Sequence, residues 1–243
     1  MRYFMQLSYN GSNFLGWQIQ PQGATVQGTI EHAMSVLLRV PMSVTGAGRT
    51  DTGVNARMMI AHFDYAGELP GDFHYRLNSM LGRDIAVQRI WPVAADAHAR
   101  FDAAERTYKY FVSMSKSPFL YHFSWRCVTP LDFEAMNSAA VHIIGRQDFT
   151  SFSKLHTQVK TNICDVRQAH WAPVPGADDL WCFTISADRF LRNMVRAVVG
   201  TLVDVGRGKI APDQVAEIIA RRDRSAAGSS MPPYALFLWD IKY

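Results

Sequence analysis

The chain has 243 residues, enough for one large domain or two small ones. Hydrophobic residues make up 48% and charged residues 19%, the balance of an ordinary soluble globular protein, and no apolar run is long enough to cross a bilayer. A net charge of +4 permits a nucleic-acid partner without demanding one. The opening MRYFMQLSYNGSNF has no continuous apolar stretch and no small-residue cleavage site, so no signal peptide is expected. Three cysteines, Cys127, Cys164 and Cys182, stand far apart. They suit a reducing cytoplasm better than a disulfide framework or a CxxC metal clip. The histidines are scattered with no HExxH, so neither a structural nor a catalytic zinc is expected.

Residues 2–9 alternate, with Tyr3, Met5, Leu7 and Tyr9 on one face, as a half-buried strand does. A Gly- and Asn-rich loop follows. Val26, Ile30, Ala33, Met34 and Leu37 then recur at helical spacing, up to a stop at Pro41. A short strand is expected at 42–45 and a second at about 57–65. Phe73, Leu77 and Met80 mark a helix, and 85–91 a strand. This order, β-α-β-β-α-β, is the ferredoxin-like pattern.

The second half repeats it with insertions. Tyr108, Tyr110, Val112 and Met114 alternate along a strand, and Phe133, Met136, Ala140 and Ile143 stripe a helix. Strands are expected at 163–171 and 180–187. A long amphipathic helix should run from Phe190 past Val205, and Pro212 suits the first turn of another ending near Arg221. The tail ALFLWDIKY reads as a closing strand with Ala235, Phe237, Trp239 and Ile241 on one face. The expected fold is α+β, with two ferredoxin-like halves, residues 1–102 and 103–243, flanking a central cleft that would hold a ligand.

The segment Gly46 to Ala56, GAGRTDTGVNA, is the most unusual in the chain, with three glycines within eight residues around Arg49 and Asp51. A hairpin with a charged tip accounts for it on spacing alone. A phosphate cradle does not, because neither GxxxxGK[ST] nor GxGxxG is present. Asp51-Thr52-Gly53 also spells the aspartic-protease DTG, but that chemistry needs two carboxylates sharing a proton. One DTG is present, and Arg49 beside it would favour the ionised form.

GRTDTGVNA resembles the GRTDAGVHA segment of the A-type tRNA pseudouridine synthases, with Thr52 for Ala and Asn55 for His. Further blocks follow in that family's order. NGSNFLGWQIQP resembles its opening YDG…GWQ.Q, with Asn10 where Asp is usual, and HARFDAAERTYKYF resembles HARF…R.Y.Y. An SPF follows, then GRQDFTSF like G..DF.SF and FLRNMVRAVVG like F…MVR.IVG. The tail departs at Tyr234-Ala235 from the usual P..GL.L..V.Y.

The resemblance implies that Asp51 is the essential carboxylate, that Arg196 pairs with it, and that Tyr108 packs against the target uracil. It places Arg49 against a phosphate or in the space left by a flipped base. Spacing alone fits plainer roles: Arg196 on an exposed helix face, Tyr108 as a core strand tyrosine, Arg49 solvated on a loop. Arg189, Arg192, Arg207, Lys209, Arg221, Arg222 and Arg224 alternate with acids, so a solvated surface accounts for them as well as an RNA track does. The implied activity is conversion of uridine to pseudouridine in the anticodon stem-loop of tRNA, at positions 38, 39 and 40. A cytoplasmic homodimer using neither metal nor organic cofactor would carry it out. Two alternatives stay open: a non-catalytic RNA-binding protein on this scaffold, and a synthase for another RNA site.

Overall fold

The computed structural model describes residues 1–154, 161–177 and 179–243. The elements run β1 (Arg2–Tyr9), α1 (Val26–Leu38), β2 (Thr45–Gly46), β3 (Asn55–Asp64), α2 (Phe73–Met80), β4 (Ile85–Val93), β5 (Glu105–Ser113) and β6 (Trp125–Arg126). They continue with α3 (Phe133–Ala140), β7 (Gly145–Asp148), β8 (Ile163–Pro173), β9 (Leu180–Ala187), α4 (Met194–Gly206), α5 (Gln214–Arg221) and β10 (Leu236–Lys242). The mixed α and β content and the β-α-β-β-α-β opening are those expected. The chain forms two compact units, one of residues 1–104 with 237–243, the other of residues 105–236.

In the first unit β1 is central, antiparallel to both β3 and β4, with Met5 opposite Ala61 and Ile90. Met5, Leu7 and Met59 of the sheet are fully buried, as are Ile30, Met34 and Leu77 of the two helices. Each such side chain, fully buried, contributes about 1.5–3 kcal/mol. Helix α1 begins where the Thr25 side chain accepts the Gly28 N–H, and ends at Arg39 in a left-handed conformation, before Pro41 is reached.

The strand expected at 42–45 is only Thr45–Gly46, paired with His62 and Ala61. Instead, the Ser35 hydroxyl takes the Met42 N–H and the Glu31 carboxylate takes the Val44 N–H, so helix side chains replace a strand partner.

The closing strand differs from expectation in the unit it joins. All but its first residue belongs to the first unit, because β10 runs parallel to β3 with Phe237 opposite Asn55. Its end is also tied down there: the Ala104 N–H donates to the Lys242 carbonyl, and the Tyr243 hydroxyl donates to the Ala99 carbonyl. Leu236 and Leu238 are buried while Phe237 and Trp239 are only half-buried. Arg57 covers the Trp239 ring at 4.8 Å, so the half-buried face is roofed by a cation rather than packed in the core.

In the second unit β9 lies between β5 and β8, antiparallel to both, and β7 extends the sheet beyond β8. Met136 of α3 and Val198 and Leu202 of α4 cover one face of it, with Phe183 fully buried. The expected helix from Phe190 starts later, at Met194. Asn193 adopts a left-handed conformation, φ 68°, which interrupts the helical path that the apolar stripe suggests.

Candidate active site

Asp51 sits on the loop between β2 and β3, half-buried, between a buried Thr50 and an exposed Thr52. The loop is held mainly through its backbone by the segment following β1. The Trp17 N–H donates to the Thr50 carbonyl at 3.2 Å, and the Gly53 N–H donates to the Phe14 carbonyl at 3.3 Å. The Thr50 and Tyr9 hydroxyls bond each other at 2.8 Å, buried. Asp51 closes the turn with its own carbonyl, which accepts the Val54 N–H at 3.1 Å.

Asn55 stands where the resembling family has His, and it is 1% exposed. Its Oδ1 accepts the Gly11 N–H at 2.8 Å. Gly11 itself leaves no room for a side chain: a Cβ there would lie 2.1 Å from the Val54 carbonyl oxygen. The two unusual blocks, NGSNFLGW and GRTDTGVNA, are therefore one structural unit, the first clamping the second. The sequence signal was their shared density of Gly, Asn and aromatics, but the pairing between them was not legible from spacing. Arg49 lies on the same loop, exposed, two residues from Asp51.

The other two expected residues lie in the second unit. Tyr108, half-buried on β5, meets Phe190 edge-on at 5.0 Å between ring centroids. Arg196, half-buried in the first turn of α4, donates from Nε to the Met231 carbonyl at 2.6 Å, while its own carbonyl accepts the Met231 N–H at 3.1 Å. The exposed helix face that spacing allows is thus not where Arg196 stands. A strap, residues 228–231, lies along the helix: Asn193 and Arg224 both donate to the Ser230 hydroxyl, and the Gly228 N–H donates to the Thr201 hydroxyl. Asn193 leaves the helical path where its side chain reaches this strap.

Sequence reading overlooked the strap, although its small residues, Gly228-Ser229-Ser230, are those that permit close approach of two backbones. It also took Tyr110 only as a companion to Tyr108. Tyr110 is fully buried, its hydroxyl has no hydrogen-bond partner among the described residues, and burial pushes its pKa up, with Arg196 acting in the opposite sense.

Most of the remaining basic residues of the second unit are engaged locally. Lys209 pairs with Asp204 at 3.0 Å, Arg222 with Asp148 at 3.3 Å, and Arg189 donates to the Thr161 carbonyl. Among the described residues no group of three or more His, Cys, Asp or Glu side chains is placed to hold a metal ion, and no helix is long and apolar enough to cross a membrane. The three cysteines are free and buried, and burial pushes the Cys164 thiol up to about 12, so it stays protonated and unreactive at neutral pH.

Asp51 and Arg49 thus stand on one clamped loop of the first unit, and Tyr108 and Arg196 are held in the second. Residues 139–243 match a family model described as tRNA pseudouridine synthase. Over its full length the chain is 54% identical to the tRNA pseudouridine synthase A of Parabacteroides distasonis, covering 96% of that protein. It is 51% identical to that of Bacteroides thetaiotaomicron, covering 90% of it, and 40% identical to that of Bacillus subtilis, covering 99%, again along the whole chain. The chain belongs to the tRNA pseudouridine synthase A family, and it is therefore an enzyme, an isomerase.

Proposed function

We propose that the protein converts uridine to pseudouridine in tRNA, at positions 38, 39 and 40 on the 3′ side of the anticodon stem-loop, and works as a homodimer in the cytoplasm. The observation that carries this reading is Asp51, held half-exposed on a clamped loop in a chain that matches these synthases from end to end.

The reaction breaks the N1–C1′ bond, turns the uracil while it stays bound, and joins C5 to C1′; C5 loses its proton and N1 takes one up. A glycoside hydrolase needs two carboxylates because its leaving oxygen must be protonated while the other face is attacked. Uracil leaves as a resonance-stabilised anion, so one carboxylate suffices. Water must be excluded while the base is detached, or hydrolysis would compete.

In this reading Asp51 is the reacting carboxylate, Arg196 keeps it ionised and oriented, Tyr108 stacks on the uracil, and Arg49 binds a phosphate or fills the gap left by the flipped base. The chain's own residues supply all of this, and neither metal nor organic cofactor enters the scheme. Flipping the target costs a few kcal/mol of stacking, and contacts such as that of Tyr108, about 1–3 kcal/mol for a base on an aromatic ring, offset it.

The test is tritium release from tRNA transcript labelled with [5-³H]uridine. The wild type should release tritium, and Asp51→Asn should release it more slowly by about 10²–10⁴-fold or below detection. Unchanged release by the variant would remove Asp51 from the mechanism. No release by either protein would leave an RNA-binding protein on this scaffold.

A further inference from the structure

Between β5 and β6 the chain turns through residues 114–124 and carries its aromatic side chains outward. Phe119 is 86% exposed and Tyr121 61% exposed, on a loop that is not loose. The Leu120 carbonyl accepts both the N–H and the hydroxyl of Ser124, the Cys127 N–H donates to the Ser113 carbonyl, and the Met114 N–H donates to the Asp179 carbonyl. Val112 pairs with Trp125 across the loop's base. The Tyr121 and His122 rings lie tilted against each other at 3.7 Å between centroids, and Phe123 meets His122 edge-on at 6.4 Å. Folding alone gives no reason to hold apolar rings rigidly in water, and exposed patches of this kind mark interaction surfaces.

The loop also borders a recess of about 320 Å³ lined by Lys116 and Arg126, both exposed, and by Pro118, Leu120 and Tyr121. From Arg106 to Leu131 the sequence contains no aspartate or glutamate. Rings for stacking and cations for phosphates are the combination that binds unpaired RNA.

We propose that this loop and recess form a second RNA contact, in which bases of an unpaired stretch stack on Phe119 and Tyr121 while its phosphates meet Lys116 and Arg126. The proposal rests on the reading that the protein acts on tRNA, and it involves none of the residues placed in the catalytic machinery. A second copy of the chain fits less well, since two copies of this acid-free stretch would offer its cations no carboxylate.

The experiment follows tritium release against tRNA concentration and salt for wild type, Lys116→Ala/Arg126→Ala and Phe119→Ala/Tyr121→Ala. All four side chains are exposed, so urea midpoints should match the wild type. The charge variant should raise KM about tenfold with kcat within about twofold, and should lower the slope of log affinity against log salt by about 2. The aromatic variant should raise KM about tenfold with the salt slope unchanged. In the wild type, bound tRNA should shield Lys116 from acetic anhydride, a readout that needs no variant. Normal wild-type turnover, with KM and salt slope unmoved in both variants and Lys116 unshielded, overturns this contact and leaves the catalytic reading intact. A changed sedimentation coefficient in the aromatic variant, with tRNA affinity intact, also overturns it and assigns the surface to protein contact. No wild-type turnover defeats the catalytic reading instead.

Discussion

The Asp51 loop and the start of α4 hold charged side chains by different means. The loop is fixed chiefly from outside: the chain after β1 reaches across and bonds the backbone of Thr50 and Gly53, and Asn55 returns a bond to Gly11. At α4 the arginine takes part in its own fixation, bonding Met231 through both its side chain and its carbonyl. A carboxylate meant to react must keep its oxygens available to substrate, so its position is best set by backbone. An arginine has several donors and can spend one on a structural carbonyl while others remain for an anion. In both places a glycine permits the contact, and that shared feature allows the two to be separated experimentally.

The largest effect is expected at Gly11. Its missing Cβ is the condition for the Val54 carbonyl to lie where it does, so Gly11→Ala must push the clamp off the Asp51 loop. A displacement of about 1 Å at reacting groups costs on the order of 10²-fold in rate, and kcat for tritium release should fall by that much. A wild-type kcat would mean that the clamp does not position Asp51.

Gly200 is the counterpart on α4. A Cβ there would lie 1.8 Å from the Ser229 carbonyl oxygen. Helix propensity alone would make Gly200→Ala stabilising by about 1 kcal/mol. Overpacking against the strap costs about 1–3 kcal/mol and opposes it, and a contact this short takes the upper part of that range. Urea unfolding should therefore show a net loss of stability. A gain would show that the strap moves aside freely, and Arg196 would then lose its claim to a fixed position.

The sequence made elements legible where one periodicity governed them. Strand β1 and helix α1 lie where alternation and the 3.6-residue stripe put them. The same reading failed where a side chain outbid the period. Asn193 breaks the stripe of α4 by turning left-handed toward Ser230, and Glu31 and Ser35 take the backbone donors that a strand at 42–45 would have used. It also left β10 with the second half of the chain, although its pairing with β3 places all but its first residue in the first unit. Asp51, Arg49, Tyr108 and Arg196 are candidates singled out through ordered motifs rather than through spacing, which favoured plainer roles for three of them. Asn55 was noticed only as a departure. Its function as acceptor for Gly11 depends on a contact 44 residues away along the chain, which no local pattern carries.

The smallest predicted effect concerns His62, buried on β3 beside the HARF block. Its Nδ1 accepts the Ala99 N–H at 3.1 Å, and its ring meets His98 at 4.6 Å. Burial holds its pKa below the usual histidine value, assisted by His98 and Arg2, while Asp64 and Asp102 pull weakly the other way. The folded state therefore resists a proton that the unfolded state accepts, and protonation at Nδ1 would also remove the acceptor of the Ala99 bond. Where the unfolded chain binds more protons, stability rises with pH. The contribution of His62 is thus fully present above about pH 6.5, the ordinary histidine value, and is lost as pH falls from there toward its lowered folded value. His62→Gln keeps an acceptor but cannot titrate. Its urea midpoint should change less between pH 7 and pH 5 than the wild type's, with the two curves diverging below about pH 6.5. Parallel curves would mean that the HARF block is held against β3 by packing alone, with no proton-sensitive bond between them.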